Sequence, residues 1–362
     1  SISDVTGVSA TADGGMVVIE NDLLRVVIGP DGTLASVIDK AAGREALADR
    51  GNQLWAYTDK PRQYDAWDIE ETYEQEGEEV AGFSGLEIVE RGPLRAAVRV
   101  SRIFRGSRIQ QTYRLVTGSR RLDVVTEIDW HERMVLLKAR FPVAVRAEQA
   151  TFETMYGVVR RPTHRNTSWE AAKFEASAHR FVDLSEPGLG VAVLNDGKYG
   201  HGVFRNEMTL SLVRGPIYPD PFADEGHHRF TYSLLPHTGD WVQAGVVFEA
   251  FALNSPLIAV PGVVDAGRIP ASWGLIETGG LLVALGALKP AEDGDGVILR
   301  VYEPHGARGT AVLRFSGEVR RVERLNLLEG PDRDAQGALR VDGSTVELWL
   351  RPFEVATLRI VV

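Results

Sequence analysis

Two sets of carboxylates stand at spacings that could serve acid–base chemistry: Asp65 with Asp68 or Glu70, and Asp220 with Asp224. Hydrolysis of a glycosidic bond uses two carboxyl groups flanking that bond, about 5 to 9.5 Å apart depending on stereochemistry. Spacing along a chain does not set that separation. The same acids serve equally well on solvated loops, or paired with Arg62, Arg214 or Arg229. The densest chemistry runs from Asp129 to Glu170. It opens on Asp129-Trp130-His131-Glu132-Arg133, crosses the largely apolar residues 134–142, and closes on Arg160-Arg161-Pro162-Thr163-His164-Arg165-Asn166-Thr167-Ser168-Trp169-Glu170. Such side chains combine flat apolar faces with fixed donors and acceptors, which suits a surface that grips a polyhydroxylated ligand. They serve equally as edge and corner residues of a large β-sandwich, satisfying one another. Two further loops, 195–201 and 214–221, leave apolar strands crowded with rings, donors and acceptors, where scaffolds place binding groups.

Other chemistries are excluded by what is missing. Cysteine is absent, which removes disulfides, thiolate metal sites and cysteine nucleophiles together. Its absence fits a reducing compartment, and a cytoplasmic location is expected. His227 and His228 are adjacent, so on a strand they point to opposite faces and cannot share one ion. Neither a zinc-type histidine motif, a calcium loop, a Gly-x-Ser-x-Gly elbow nor a phosphate-cradling glycine loop occurs. No metal ligand is therefore assigned within the chain. The formal net charge of −10 disfavours a nucleic-acid partner. No run of about 18 apolar residues is present, so no membrane partner is expected. The chain starts Ser1-Ile2-Ser3-Asp4, with no leader pattern and no initiator Met, and reads as a piece of something longer.

The elements that must position these residues are strands. Short β-branched runs at 16–19, 24–28 and 34–38, separated by Asn, Asp, Gly and Pro, predict a meander. Residues 98–104 and 109–116 predict a hairpin across Arg105-Gly106-Ser107-Arg108, and 122–130 repeats its alternation. The best helix candidate spans Gly239 to Leu253, ended by Asn254-Ser255-Pro256. Beyond 265, runs at 281–285, 296–302, 310–315, 346–350 and 356–360 predict a small antiparallel sandwich. With 362 residues, two units are expected, 1–265 and 266–362, both all-β.

Several of these segments, in one order, carry a resemblance. Tyr64-Asp65-Ala66-Trp67-Asp68-Ile69, then residues 129–133, 161–170 and 195–201, then 212–221 and Leu234-Leu235-Pro236-His237, resemble bacterial-type α-mannosidases of glycoside hydrolase family 38. The resemblance covers the C-terminal part of such enzymes only. It implies a galactose-mutarotase-like β-supersandwich over 1–265 and a small terminal β-sandwich over 266–362. It implies retaining hydrolysis of terminal α-mannosyl linkages by the full enzyme. The zinc and the nucleophilic aspartate would belong to an N-terminal catalytic domain without a counterpart here, so that domain and an α-mannoside or oligosaccharide are the expected partners.

Three readings stay open: a non-catalytic portion of an α-mannosidase that shapes the substrate cleft, a stand-alone carbohydrate-binding module, and a lyase or epimerase on a similar sandwich. The sugar-facing surface is expected at Tyr64, Asp65, Trp67 and Asp68, at His164, Arg165 and Asn166, and at Asp196, Arg214, Tyr218 and Asp220. The competing expectation is that Arg165 and Arg214 pair with Asp65, Asp68 or Asp220 to pin loops.

Overall fold

The computed structural model describes residues 7–262, 272–332 and 337–361. The chain divides into two compact units, Ser1–Glu153 with Val159–Pro256, and Thr154–Val158 with Leu257–Val362. The boundary expected near 265 lies outside the described residues.

The first unit is all antiparallel β. Its first sheet is the expected meander: Ser9–Asp13, Met16–Glu20, Leu24–Ile28, Leu34–Asp39 and Arg44–Glu45 pair in chain order. A nine-stranded sheet runs from Gly157–Pro162 and Gln149–Thr154 through Phe181–Glu186, Leu189–Asn195, Gly226–His237 and Leu122–Trp130. It continues to Ser107–Val116, Arg95–Phe104 and Phe83–Arg91. A six-stranded sheet has the order Ala176–Ser177, Gly200–Phe204, Glu207–Val213, Val135–Pro142, Gln53–Thr58 and Gly77–Glu79. Alternate residues of all three sheets meet in one core, for example Val26, Val98, Tyr113, Val191, Leu137, Phe141 and Leu210. Period-two alternation buries one face of each strand and leaves the other for chemistry.

The predicted hairpin is tighter than expected. Phe104 pairs directly with Ser107, leaving only Arg105-Gly106 in the turn. Ser107 is drawn into the strand because its buried hydroxyl accepts from His131 N (2.8 Å) and donates to the Glu132 carboxylate (2.9 Å). The helix is shorter than expected, Val246–Asn254. Upstream, Asp240 accepts from the backbone N–H groups of Val242 and Gln243, and Gly245 adopts φ 68°, so the chain turns instead of winding. It does end before Pro256, as expected.

The second unit holds two four-stranded sheets. One orders Ile276–Gly280, Gly309–Phe315, Thr345–Leu350 and Leu339–Asp342; the other orders Ala284–Pro290, Val297–Tyr302, Val355–Val361 and Arg321–Leu325. Leu299, Leu313, Leu348 and Leu358 fill the space between them. The run expected at 281–285 straddles the junction of two strands. Arg321–Leu325 and Leu339–Asp342 escaped sequence reading because edge strands carry charge on exposed positions.

A buried polar knot joins the three sheets of the first unit. Asn52 Nδ2 donates to Gln111 Oε1 (3.1 Å) and Tyr113 Oη (2.7 Å), while Tyr232 Oη donates to Asn52 Oδ1. Gln111 Nε2 donates to Tyr232 Oη (2.6 Å), and Tyr113 Oη donates to the Gly32 carbonyl in the meander (2.9 Å). Asn52 sits at φ 55°, a region Asn tolerates better than most residues. Asn52→Ala is expected to cost about 2–4 kcal/mol, by leaving buried hydroxyl and amide groups unpaired and by straining the left-handed backbone. Urea unfolding of the variant beside the parent checks this.

Candidate functional site

The site is built on the strand Val135–Pro142, inside the stretch 129–170. Leu137, Ala139 and Phe141 enter the core, so Leu136, Lys138 and Arg140 lie on the opposite face of the six-stranded sheet. Lys138 is fully buried there. Its ammonium donates to Tyr73 Oη (3.0 Å) and is ion-paired with Glu175, which also accepts from Ser211 Oγ (2.9 Å). Burial alone would lower the Lys138 pKa, but the Glu175 carboxylate and Tyr73 more than reverse it and hold it above the ordinary value. Burial likewise pushes Glu175 up, and the Lys138 ammonium brings it below the ordinary range. Beside them, burial drives His201 down to about 3, so its imidazole is neutral.

This buried pair anchors two connecting segments on the sheet. One, residues 59–79, contributes Tyr73; the other, 163–178, contributes Glu175. Arg165 lies over the Phe204 ring (4.8 Å) and holds Glu74 through two parallel bonds of 2.8 Å. The expected pairing of Arg165 with Asp65, Asp68 or Asp220 is therefore replaced by a clamp onto Glu74. His164 Nδ1 lies 3.2 Å from Glu170, and the Asn166 backbone N–H donates to the same carboxylate (2.9 Å).

The loops 59–72 and 214–225 are joined directly. Asp65 is buried and accepts from the Ile217 N–H (2.7 Å). Arg214 is ion-paired through Nε with Asp59, whose other oxygen accepts from Glu70 N (3.1 Å). Arg214 thus does pin loops, but through Asp59, which sequence reading had not singled out. Asp224 accepts from the backbone N–H groups of Arg214 and Gly215, each 3.0 Å. Gly215 is at φ 66°, and a Cβ there would meet the Glu132 carbonyl at 2.3 Å, so no larger residue fits this exit from the strand. Tyr64 holds φ 57°, an uncommon backbone state for an aromatic residue, which persists where neighbours over-determine it.

Neither carboxylate set offers two free groups. Asp65 is committed to Ile217, while Asp68 accepts from Ile69 N (3.1 Å), and Asp220 from Phe222 N (2.9 Å). Asp196 is hydrogen-bonded to Thr231 N (2.9 Å) along the strand Gly226–His237 and, with Asp224 of the loop 214–225, lies near the Lys198 ammonium. Among the side chains that the two joined loops leave to solvent are the rings of Tyr64 (61% exposed), Trp67 (68%) and Tyr218 (58%), with Phe222, and the charged groups of Arg62, Asp68 and Asp220. Tyr64 and Trp67 meet edge to face at 6.2 Å. Among the described residues no three His, Asp or Glu side chains converge as metal ligands. The carboxylates of these loops accept from backbone N–H groups and do not form a zinc ligand set.

Comparison with known proteins decides the family. The profile described as "Glycosyl hydrolases family 38 C-terminal domain" matches residues 19–222, and that of the "Glycosyl hydrolases family 38 C-terminal beta sandwich domain" matches residues 282–358. The chain belongs to glycosyl hydrolase family 38. This family 38 region is 40% identical over 355 residues to Alpha-mannosidase 2C1 of Homo sapiens, covering 96% of this chain and 34% of that protein. It is 32% identical to Alpha-mannosidase G of Dictyostelium discoideum, over 98% of this chain and 33% of that protein. It therefore spans about a third of the length of the curated relatives it matches. A crystal structure of an alpha-mannosidase from Enterococcus faecalis V583 superposes with TM-score 0.79 at 18% identity, covering 97% of this chain and 43% of that one, a likeness of fold.

Sequence reading of the family 38 region missed Asp59, Glu74, Lys138 and Glu175, which hold the loops. Lys138 had a signal: with Arg140, it is a cation alternating out of phase with Leu137, Ala139 and Phe141. Trp169 lies in the stretch 160–170 that sequence reading singled out, but it was not assigned to the sugar-facing surface; Thr167-x-x-Glu170 around it is a capping box, and both of its reciprocal bonds are present.

Lys138→Met is expected to destabilise the chain by about 3–5 kcal/mol, because Glu175 is left buried and uncompensated. Lys138→Met with Glu175→Gln should recover most of that loss, both read by urea unfolding. His201 generates a pH prediction. Its folded pKa lies below its unfolded value of about 6.5. Its contribution is therefore complete above pH ~6.5 and is lost as pH falls toward the folded value. Urea midpoints measured between pH 7 and pH 5 should decline, and His201→Asn should flatten that decline.

Proposed function

We propose that this chain is the C-terminal, non-catalytic portion of an α-mannosidase that hydrolyses terminal α-mannosyl linkages with retention. Its share of the work is to shape the cleft for an α-mannoside or oligosaccharide. The reacting groups and a zinc ion come from a catalytic portion of the same polypeptide outside this sequence. The observation that carries the reading is the union of loops 59–72 and 214–225 through Asp65–Ile217 and Arg214–Asp59, which turns Tyr64, Trp67 and Tyr218 to solvent. Flat rings set on rigidly bonded loops are what the apolar face of a hexose requires. The names of the relatives support the substrate class. Asp68 and Asp220 supply acceptors on the same loops. Asp65, Arg165 and Arg214 act as positioning residues, with His164, Asn166 and Asp196 at the periphery.

The assignment of 1–265 as a mutarotase-like supersandwich and 266–362 as a small β-sandwich remains our reading. So does a cytoplasmic location, supported by the lack of cysteine. No helix among the described residues is long and apolar enough to cross a membrane. The exposed rings also favour a second reading, a stand-alone sugar-binding module.

Activity and binding separate the two. The chain alone should not turn over aryl α-mannosides, with or without added zinc, because retaining hydrolysis needs a nucleophile and an acid held together. It should bind mannose only weakly, with Kd in the millimolar range (about −4 kcal/mol). In the longer polypeptide Trp67→Ala should raise KM for an aryl α-mannoside several-fold. Metal-dependent turnover by residues 1–362 alone, abolished by removing one of its carboxylates, would overturn the proposal.

A further inference from the structure

A second cavity lies in the first unit, away from the loops 59–72 and 214–225. It encloses about 400 Å³, within the range of about 300–1,000 Å³ that small-molecule sites occupy. Its floor is apolar, with Phe152 from the nine-stranded sheet and Val203 from the six-stranded one. Its polar lining holds three cations, Arg160 and Arg161 on the strand Gly157–Pro162 and Lys173 just beyond the short helix Ser168–Ala171, beside Thr167, Glu170 and the neutral His201.

None of these three cations has an acid partner among the described residues, in a chain whose formal charge is −10. Arg161 lies 5.4 Å over the Phe152 ring, with its Nε shielded from solvent and lacking an acceptor. The one carboxylate at the rim, Glu170, is spent on the N–H groups of Asn166 and Thr167 and on His164. It does not neutralise the arginines. Trp169 is 79% exposed at the mouth, held outward by the capping box that starts its helix.

We propose that this cavity binds a phosphorylated hexose, with the phosphate on Arg161 and Lys173 and the sugar face on Trp169; Arg160, next to Arg161 on the strand, points to the other face. A phosphate monoester carries a charge of about −1.5 to −2 and three acceptor oxygens, enough to engage both cations at once. The planar guanidinium fork matches its oxygens in pairs. A neutral sugar would leave the cations unpaired, and bare phosphate would leave the indole unused. The site shares no residue with the ring-bearing loops, so it stands whether or not the mannosidase reading does.

Calorimetric titration of the 362-residue chain with mannose 6-phosphate, inorganic phosphate and mannose tests this. Mannose 6-phosphate should bind saturably and about tenfold or more tighter than either other probe. Arg161→Gln and Lys173→Gln should each weaken it about tenfold, the effect of losing one charge-assisted bond, and leave the mannose titration unchanged, whereas Arg160→Gln, on the other face of the strand, should leave mannose 6-phosphate binding as it is. Trp169→Ala should weaken mannose 6-phosphate and spare inorganic phosphate. Trp67→Ala should affect mannose alone. The proposal is overturned if mannose 6-phosphate fails to bind at about 10 mM, or binds the Arg161 and Lys173 variants as well as the parent. Equal affinity for inorganic phosphate would overturn the sugar assignment.

Discussion

A lysine ammonium buried in a β-sheet must find a carboxylate, and in this chain that demand organises the surface. Lys138 projects from the middle strand of the six-stranded sheet, where Tyr73 and Glu175 close over it. Isolated, the charge would cost several kcal/mol. Paired, it draws two segments distant in sequence, 59–79 and 163–178, onto one sheet face. The pair's net contribution to stability is modest, since desolvation offsets much of the attraction. Its effect is one of position: these connections have one place to go.

The clamps above that anchor repeat the same logic at lower burial. Arg165 with Glu74, Arg214 with Asp59, and Asp65 with the Ile217 N–H each join one loop to another. In each, a charged group that could have met a ligand is spent on another part of the chain. The consequence is that these charged residues hold the loops still, while the Tyr64, Trp67 and Tyr218 rings stay exposed. A surface pre-ordered in this way loses little entropy on binding. The cavity beside Trp169 reverses the pattern, because there the cations are left over. Behind the sheets, the Asn52–Gln111–Tyr113–Tyr232 knot ties the three layers through groups that cannot exchange with water. Such a network specifies one register of the sheets relative to one another, since any slip leaves several buried groups unpaired.

Much of the architecture was determined by sequence alone. Alternating β-branched runs punctuated by Gly, Pro, Asn and Asp can bury a face only as antiparallel strands, so the meander, the hairpin at 95–116 and the all-β class were legible. The ordered motifs from Tyr64 to His237 carried the family. Edge strands such as Arg321–Leu325 and the true start of the helix at Val246 were not legible: charge hides the first, and Gly245 decides the second through a backbone angle. Only the tertiary structure decided which residues of the candidate surface are fasteners. Asp65, Arg165 and Arg214 look alike in sequence as polar loop residues beside aromatics. Their partners Ile217, Glu74 and Asp59 lie 152, 91 and 155 residues away. Hydrogen bonds and ion pairs over such separations are set by how sheets stack, and no local pattern encodes them. Sequence supplies the chemical types, and the packing of three sheets chooses among them.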